Sequence, residues 1–266
     1  MATPPPAVKV YGPALSTAVS RVLACLNEKD IPFQLIPLNM SKGEHKNPHF
    51  LKIHVCNTYY TSLVHSTLSL ILINCVCVLL LSHTHILIIL NSFQPFGQVP
   101  AFQDDHISLF ESRAICRYVC EKHGGEKGNK QLYGTNPLAK ASIDQWLEAE
   151  GQSFNPPSST LVFQLAFAPR MKIKQDEGAI RQNKEKLKKV LDVYDKRLAE
   201  TRYLAGDEFT LADLSHLPNI HYLVSSSDHE DTAALFTSER ENVSRWWTEI
   251  STRQSWKNVI DLYPKP

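Results

Sequence analysis

Phe209-Thr-Leu-Ala-Asp-Leu214 is the stretch on which the reading of this fold turns. Thr210 can cap a helix with its hydroxyl while Asp213 reaches back to the cap's own N–H, and Phe209 can staple against Leu214. A helix therefore starts here, and helical periodicity continues on both sides. Upstream, Leu187, Val190, Leu191, Tyr194 and Leu198 form one apolar stripe; downstream, Val243, Trp246, Trp247 and Ile250 form another. From Asn136-Pro137 onward every periodic segment is helical, so residues 137–266 are expected to make an all-helical domain.

The first part of the chain has a different period. Val8-Lys-Val-Tyr11 is a short β run ending in the turn signal Gly12-Pro13. Residues 16–29 follow as an amphipathic helix with Val19, Val22, Leu23 and Leu26 on its apolar face. Phe33-Gln-Leu-Ile-Pro-Leu38 alternates as a strand does, and Pro37 marks an edge or an end. Val99-Pro-Ala-Phe102 and Ile107-Ser-Leu-Phe110 flank Gln103-Asp-Asp-His106 in a hairpin pattern, and Glu111 opens a helix running to Val119. The order β-α-β, then β-β-α, predicts an α/β domain over residues 1–122. Gly124-Gly-Glu-Lys-Gly-Asn-Lys130 is a polar, Gly-rich stretch within a linker placed at 123–136.

Composition narrows the function classes. The chain has 266 residues, 43% hydrophobic and 21% charged, with a net charge of +1, the profile of an ordinary globular protein. No clustered basic face points to nucleic acid. The Pro-rich start Met1-Ala-Thr-Pro-Pro-Pro6 lacks the basic and apolar regions of a signal peptide. The six cysteines have neither CxxC spacing nor a regular framework, which suits a reduced, cytosolic setting. The eleven histidines show no zinc-binding spacing, and neither a phosphate loop nor a Gly-x-Ser-x-Gly elbow occurs, so no metal or bound cofactor is expected.

One segment does not fit. From residue 54 to residue 93 there is no Lys, Arg, Asp or Glu, and Leu68 to Leu81 is nearly continuous in apolar residues. Its length would suffice for a membrane helix, which needs about 20 apolar residues. No Lys or Arg stands close to either end of the apolar run 68–81, however, and His65, Asn74, His83 and His85 break up the segment. A buried insertion is a second reading. The third, and the one the composition favours, is translated non-coding sequence such as a retained intron, because the motifs on either side join cleanly without it.

An α/β unit of this order followed by a helical domain with the Thr-Leu-Ala-Asp capping box resembles the cytosolic glutathione transferases. Tyr11-Gly-Pro-Ala-Leu-Ser-Thr17, Lys42-Gly-Glu-His-Lys46, Pro95-Phe-Gly-Gln-Val-Pro-Ala-Phe102 and Leu109-Phe-Glu-Ser-Arg-Ala-Ile115 are similar to plant phi-class motifs, in phi-class order. The resemblance covers the whole chain outside 54–93. It implies a thioredoxin-like glutathione-binding domain followed by an all-α domain, and the transfer of glutathione, as its thiolate, to hydrophobic electrophiles. It also admits peroxidase activity toward organic hydroperoxides.

Chemistry assigns the roles that the resemblance implies. A thiol with a pKa near 8.5 is only a few per cent ionised at neutral pH, so the protein must stabilise the thiolate. Ser16 opens the first helix, where a hydroxyl, backbone N–H groups and the helix dipole all favour negative charge. The same serine also reads as a plain helix cap. Thr17 is its auxiliary. The resemblance puts His45 and Lys46 at the glycine carboxylate of glutathione, and Gln98-Val99-Pro100 in a cis-proline loop whose Val99 main chain pairs with the cysteinyl unit. Ser112 with its helix N-terminus would bind the γ-glutamyl carboxylate, and Glu111 the ammonium. Leu15 and Phe154, the latter on a helix face with Trp146, are expected to wall the electrophile site. Glutathione enters as co-substrate, and a homodimer is implied. Two other readings stay open: a non-catalytic carrier of flavonoids or other apolar ligands, and a chain inactivated by the segment 54–93.

Overall fold

The structure, a computed structural model, describes residues 8–40, 42–47, 96–123, 131–225 and 230–264. The charge-free segment 54–93 and the stretch Gly124–Lys130 lie outside the described residues. Among the described residues no helix is long and apolar enough to cross a membrane. By compactness the chain divides into Met1–Val22 with Pro32–Ile115, and Leu23–Ile31 with Cys116–Pro266.

The first unit is built on four strands: β1 (Val8–Tyr11), β2 (Phe33–Ile36), β3 (Ala101–Gln103) and β4 (Ser108–Phe110). Their order is β2-β1-β3-β4, with β1 and β2 parallel and the other pairs antiparallel, the expected thioredoxin-like sheet. Helix α1 (Thr17–Glu28) connects the parallel pair, and α2 (Ser112–Lys122) follows β4. Pro37 ends β2, which pairs on one side with β1. The β3–β4 turn is closed by Asp104, whose Oδ1 accepts from the N–H groups of His106 (2.8 Å) and Ile107 (2.9 Å).

The expectation of a one-faced α1 needs correcting. Every residue from Val19 to Leu26 is buried, Ser20 and Arg21 included. The reason is that polar groups on this helix find partners inside the protein: Ser20 Oγ donates to the Ala14 carbonyl at 2.6 Å and Arg21 to Ser112. Near its end, Glu28 accepts from Arg253 Nε and Nη2 at 2.6 and 2.8 Å and from the Ser255 hydroxyl.

The second unit is helical. A long interrupted helix comprises α3 (Pro137–Ala149), a π-turn over Glu150–Phe154, α4 (Asn155–Val162), a second π-turn over Phe163–Phe167, and α5 (Ala168–Arg170). Each π-turn ends two residues before a proline, Pro156 (followed by Pro157) and Pro169. A proline ring crowds the carbonyl one turn earlier and offers no N–H, and a wider turn relieves both problems. Then come α6 (Glu177–Glu200), α7 (Leu211–Leu214), α8 (Leu217–Ser225), α9 (Glu230–Thr237), α10 (Glu241–Ser251) and α11 (Gln254–Ile260). Leu187, Leu191, Tyr194 and Leu198 are buried as the stripe requires, and so are Val243, Trp246, Trp247 and Ile250. Val190 stays half exposed.

The capping box forms as read. Thr210 Oγ accepts from Ala212 N–H, and Asp213 Oδ2 accepts from Thr210 N–H at 3.0 Å. Asp213 does more than cap: its Oδ1 also accepts from Leu204 N–H at 3.0 Å and from Trp246 Nε1 at 2.9 Å. This fully buried carboxylate joins a loop, α7 and α10. Burial raises its pKa above the usual carboxylate range, against the donors that hold it down.

Candidate functional site

The sheet registers decide which loops meet. Tyr11 pairs with Ile36 on one side and Ala101 on the other, and Ala101 pairs with Phe110. One row therefore runs Ile36–Tyr11–Ala101–Phe110 across all four strands. It is the last residue of β2, β1 and β4 and the first of β3. Four segments consequently leave the sheet at one end: Gly12–Thr17, the chain toward His45 and Lys46, Gln98–Pro100, and Glu111–Ser112. With the exception of Phe154, the expected site residues all lie on these segments.

The turn from β1 into α1 depends on Gly12. Its φ is +138°, and a Cβ there would stand 2.7 Å from Val19 Cγ2 and 3.0 Å from Val99 Cβ. Lacking a side chain, Gly12 lets Val99 sit against the start of α1. The Val99–Pro100 peptide is cis.

Ser16 immediately precedes α1. Its Oγ accepts from Val19 N–H at 3.5 Å, at the outer limit for such a bond, and its carbonyl accepts from Ser20 N–H at 2.8 Å. The cap is thus made, but weakly. Because the hydroxyl oxygen only accepts in it, the hydroxyl hydrogen remains available to donate. Thr17 is the first residue of α1 and Leu15 the half-buried residue before Ser16. Tyr11 is also near this end of the sheet, but its hydroxyl donates to Gln103 Oε1 at 2.9 Å and burial raises its pKa. It is not an activated phenol.

Across the sheet end, Ser112 opens α2 and is buried, while Glu111 just before it is exposed with φ +67°. The sequence reading started the helix at Glu111; the left-handed backbone there turns the chain from β4 into α2 and keeps Glu111 outside it. Arg21 Nη1 donates to Ser112 Oγ at 2.8 Å, and Arg21 is 2% exposed. A serine that accepts from a guanidinium has its own O–H left to donate to an anion. The sequence reading passed over Arg21, although a charge inside the apolar run Val19–Leu26 was a visible signal.

His45 and Lys46 belong to a single 3-10 turn, Glu44–Lys46. Glu44 Oε2 accepts from Asn39 N–H at 2.7 Å, and Asn39 Oδ1 accepts from Lys42 N–H at 3.1 Å, which fixes the turn. His45 Nδ1 is buried and has no hydrogen-bond partner among the described residues, whereas Lys46 is exposed. Gln98 is exposed and Val99 half buried.

Phe154 is a correction. It is 0% exposed, stacked on Tyr194 at 6.1 Å between centroids and edge-on to His216 at 4.6 Å. An aromatic surrounded by the helical core cannot wall an open site. Trp146, half buried, packs edge-on to Tyr194 as well. Among the described residues no group of three or more His, Cys, Asp or Glu could hold a metal ion.

The arrangement is one able to hold an anion: two helix N-termini, each with a serine able to donate, at one end of a sheet, in a unit that also carries the basic turn His45-Lys46. The chain is similar to known proteins of one family. The glutathione S-transferase N-terminal domain matches residues 15–122, and the glutathione S-transferase C-terminal domain matches residues 154–254. A glutathione S-transferase of Hyoscyamus muticus is 38% identical over 254 residues, covering 96% of this chain and 98% of the relative. The crystal structure of glutathione transferase F2 from Populus trichocarpa is 60% identical, with a TM-score of 0.77, over 96% of this chain and 98% of that one. Glutathione S-transferase I from maize, solved with an atrazine glutathione conjugate, is 29% identical with a TM-score of 0.72 over 97% of each chain.

Proposed function

The chain belongs to the glutathione S-transferase family, in the plant phi class, and on that premise we propose that Ser16 holds the glutathione thiolate that this enzyme conjugates to hydrophobic electrophiles. The observation that carries the assignment is the weak 3.5 Å cap at Ser16, which leaves its hydroxyl hydrogen free at the positive end of α1. Donation to sulfur favours the ionised form, so the thiol loses its proton to solvent at neutral pH. The sulfur then attacks the electrophilic carbon; a C–S bond forms and, with an aryl halide, the halide leaves. Thr17 supports the same pole.

The rest of glutathione is assigned to the neighbouring loops. Ser112, oriented by Arg21, and the α2 N–H groups take the γ-glutamyl carboxylate, and the Glu111 carboxylate takes the ammonium. The Val99 main chain, between Gln98 and Pro100, pairs with the cysteinyl backbone. His45 and Lys46 take the glycine carboxylate, a role that suits the unpartnered Nδ1. Leu15 is the apolar contact proposed for the electrophile. The conjugate bound by the maize relative makes a halogenated aromatic ring a reasonable electrophile. Glutathione is a co-substrate, and no step calls for a metal. Homodimeric assembly and a cytosolic location complete the proposal and rest on the family likeness.

The test is conjugation of glutathione to an activated aryl halide, measured for the full chain and for the chain lacking residues 54–93. Turnover in the shortened chain with little or none in the full one supports the site and marks the segment as foreign. Turnover in neither overturns the assignment. Equal solubility and turnover in both leave the site standing and refute the foreign origin of 54–93.

A further inference from the structure

Among the described residues the cysteines lie on two neighbouring helices. Cys25 on α1 and Cys116 and Cys120 on α2 are free thiols in the interior. Cys25 Sγ lies 3.8 Å from Cys120 Sγ and 3.8 Å from the Cys116 carbonyl oxygen. The sulfur–sulfur separation is a van der Waals contact, about 1.8 Å longer than a disulfide bond.

The two thiols differ in reach. Cys25 is 0% exposed, whereas Cys120 is 5% exposed and lines a cavity of about 250 Å³ with Lys29, Glu121, Gln131, Thr135 and Lys140. Lys140 pairs with Glu121, and Lys29 stands one helical turn beyond Cys25, its N–H donating to the Cys25 carbonyl. Water occupies about 30 Å³ per molecule, so a hydrated peroxide fits this space.

We propose that Cys120 and Cys25 are a reversible oxidation site, in which hydrogen peroxide entering the cavity oxidises Cys120 and Cys25 closes a disulfide between α1 and α2. In the first step the Cys120 thiolate attacks peroxide. An S–O bond forms, the O–O bond breaks, and the departing hydroxide takes up a proton as water. In the second step Cys25 sulfur attacks the Cys120 sulfenic acid. The S–S bond forms, the S–O bond breaks, and hydroxide leaves with the Cys25 proton as a second water. Two thiols are oxidised by two electrons and one peroxide is reduced to two waters. The order follows from access. It also agrees with the thiol contacts with Cys116 and Cys120 and with burial, which push the Cys25 pKa well up and disfavour its thiolate.

The test treats the folded, full-length protein with hydrogen peroxide, alkylates the remaining thiols and maps non-reduced peptides by mass spectrometry. The expected result is a linked Cys25–Cys120 peptide pair, lost after dithiothreitol, with Cys116 still alkylated. In Cys25→Ser, peroxide in the presence of dimedone should label Cys120; in Cys116→Ser the Cys25–Cys120 link should persist. Should any variant fail to fold, the mapping of the unsubstituted protein stands alone. A link through Cys116, or Cys25 and Cys120 both recovered as free thiols from peroxide-treated folded protein, overturns the proposal.

Discussion

Replacing Ser16 by Ala separates its cap from its proposed role at the thiolate, because the two differ in expected size. As a helix cap, Ser16 makes one bond of 3.5 Å, so the stability cost belongs at the low end of cap substitutions, about 0.5 kcal/mol. As a donor to a thiolate it makes a hydrogen bond to a charged group, worth about 1.5–3 kcal/mol. At 1.4 kcal/mol per factor of ten, that is a fall of about ten- to a hundredfold in kcat/KM for conjugation. The apparent pKa of the pH–rate profile should rise toward that of a free thiol, near 8.5, so the deficit is largest at low pH and shrinks as pH rises. Steady-state conjugation of an aryl halide across pH, beside urea denaturation of the same variant, gives both readouts. Ser16→Thr, which keeps the hydroxyl, should recover part of the rate. Turnover within about twofold of the parent, together with a stability loss of about 1 kcal/mol, would mean that Ser16 is a cap and nothing more.

Arg21→Met removes the donor to Ser112 while keeping an unbranched chain of similar reach. The KM for glutathione should rise about tenfold with kcat within about twofold, and Arg21→Lys should restore part of the affinity. A fall in kcat at unchanged KM would show that Arg21 does not act through the γ-glutamyl subsite. Asp213→Ala strands the Leu204, Thr210 and Trp246 N–H donors in the interior; at about 1–3 kcal/mol each, a loss on the order of 4 kcal/mol is expected in urea denaturation. A loss below about 1 kcal/mol would mean that water replaces the carboxylate there. His221 lies among Tyr222, Trp256 and Tyr263, and burial lowers its pKa from the ordinary 6.5. Below about 6.5 the unfolded chain takes up this proton before the folded one, so stability falls as pH falls through that window. His221→Phe should flatten the fall in Tm between neutral and mildly acidic pH; an unchanged slope would assign the effect to other groups.

The residues proposed for the site could be placed locally because most of them sit at the boundaries of elements. A strand run ending in Gly12-Pro13 and an apolar stripe beginning at Val19 leave little room for Ser16 to be anything but the start of a helix. Ser112 and the capping pair Thr210 and Asp213 are readable for the same reason. Phe154 was misassigned because helical period states that a residue faces something apolar, not whether that is a core or an open cleft. The proline-induced π-turn at Glu150–Phe154 also shifts the faces of the interrupted helix relative to a regular period. Arg21 and Asp213 carry more partners than their local patterns announce: Ser112 lies 91 positions from Arg21 and Trp246 lies 33 from Asp213.

By itself the sequence determined the two kinds of structure, α/β then all-α, and placed the residues proposed to meet a thiolate and two carboxylates at element boundaries. Periodicity, turns and caps are interactions between near neighbours and need no tertiary context. Only the tertiary structure decided that Ile36, Tyr11, Ala101 and Phe110 share one row, because strand register is fixed by burial of a common face and not by any single strand. That row gathers four loops distant in sequence at one end of the sheet. The same packing turns Arg21 into the partner of Ser112, sets Cys25 against Cys120 and removes Phe154 from solvent.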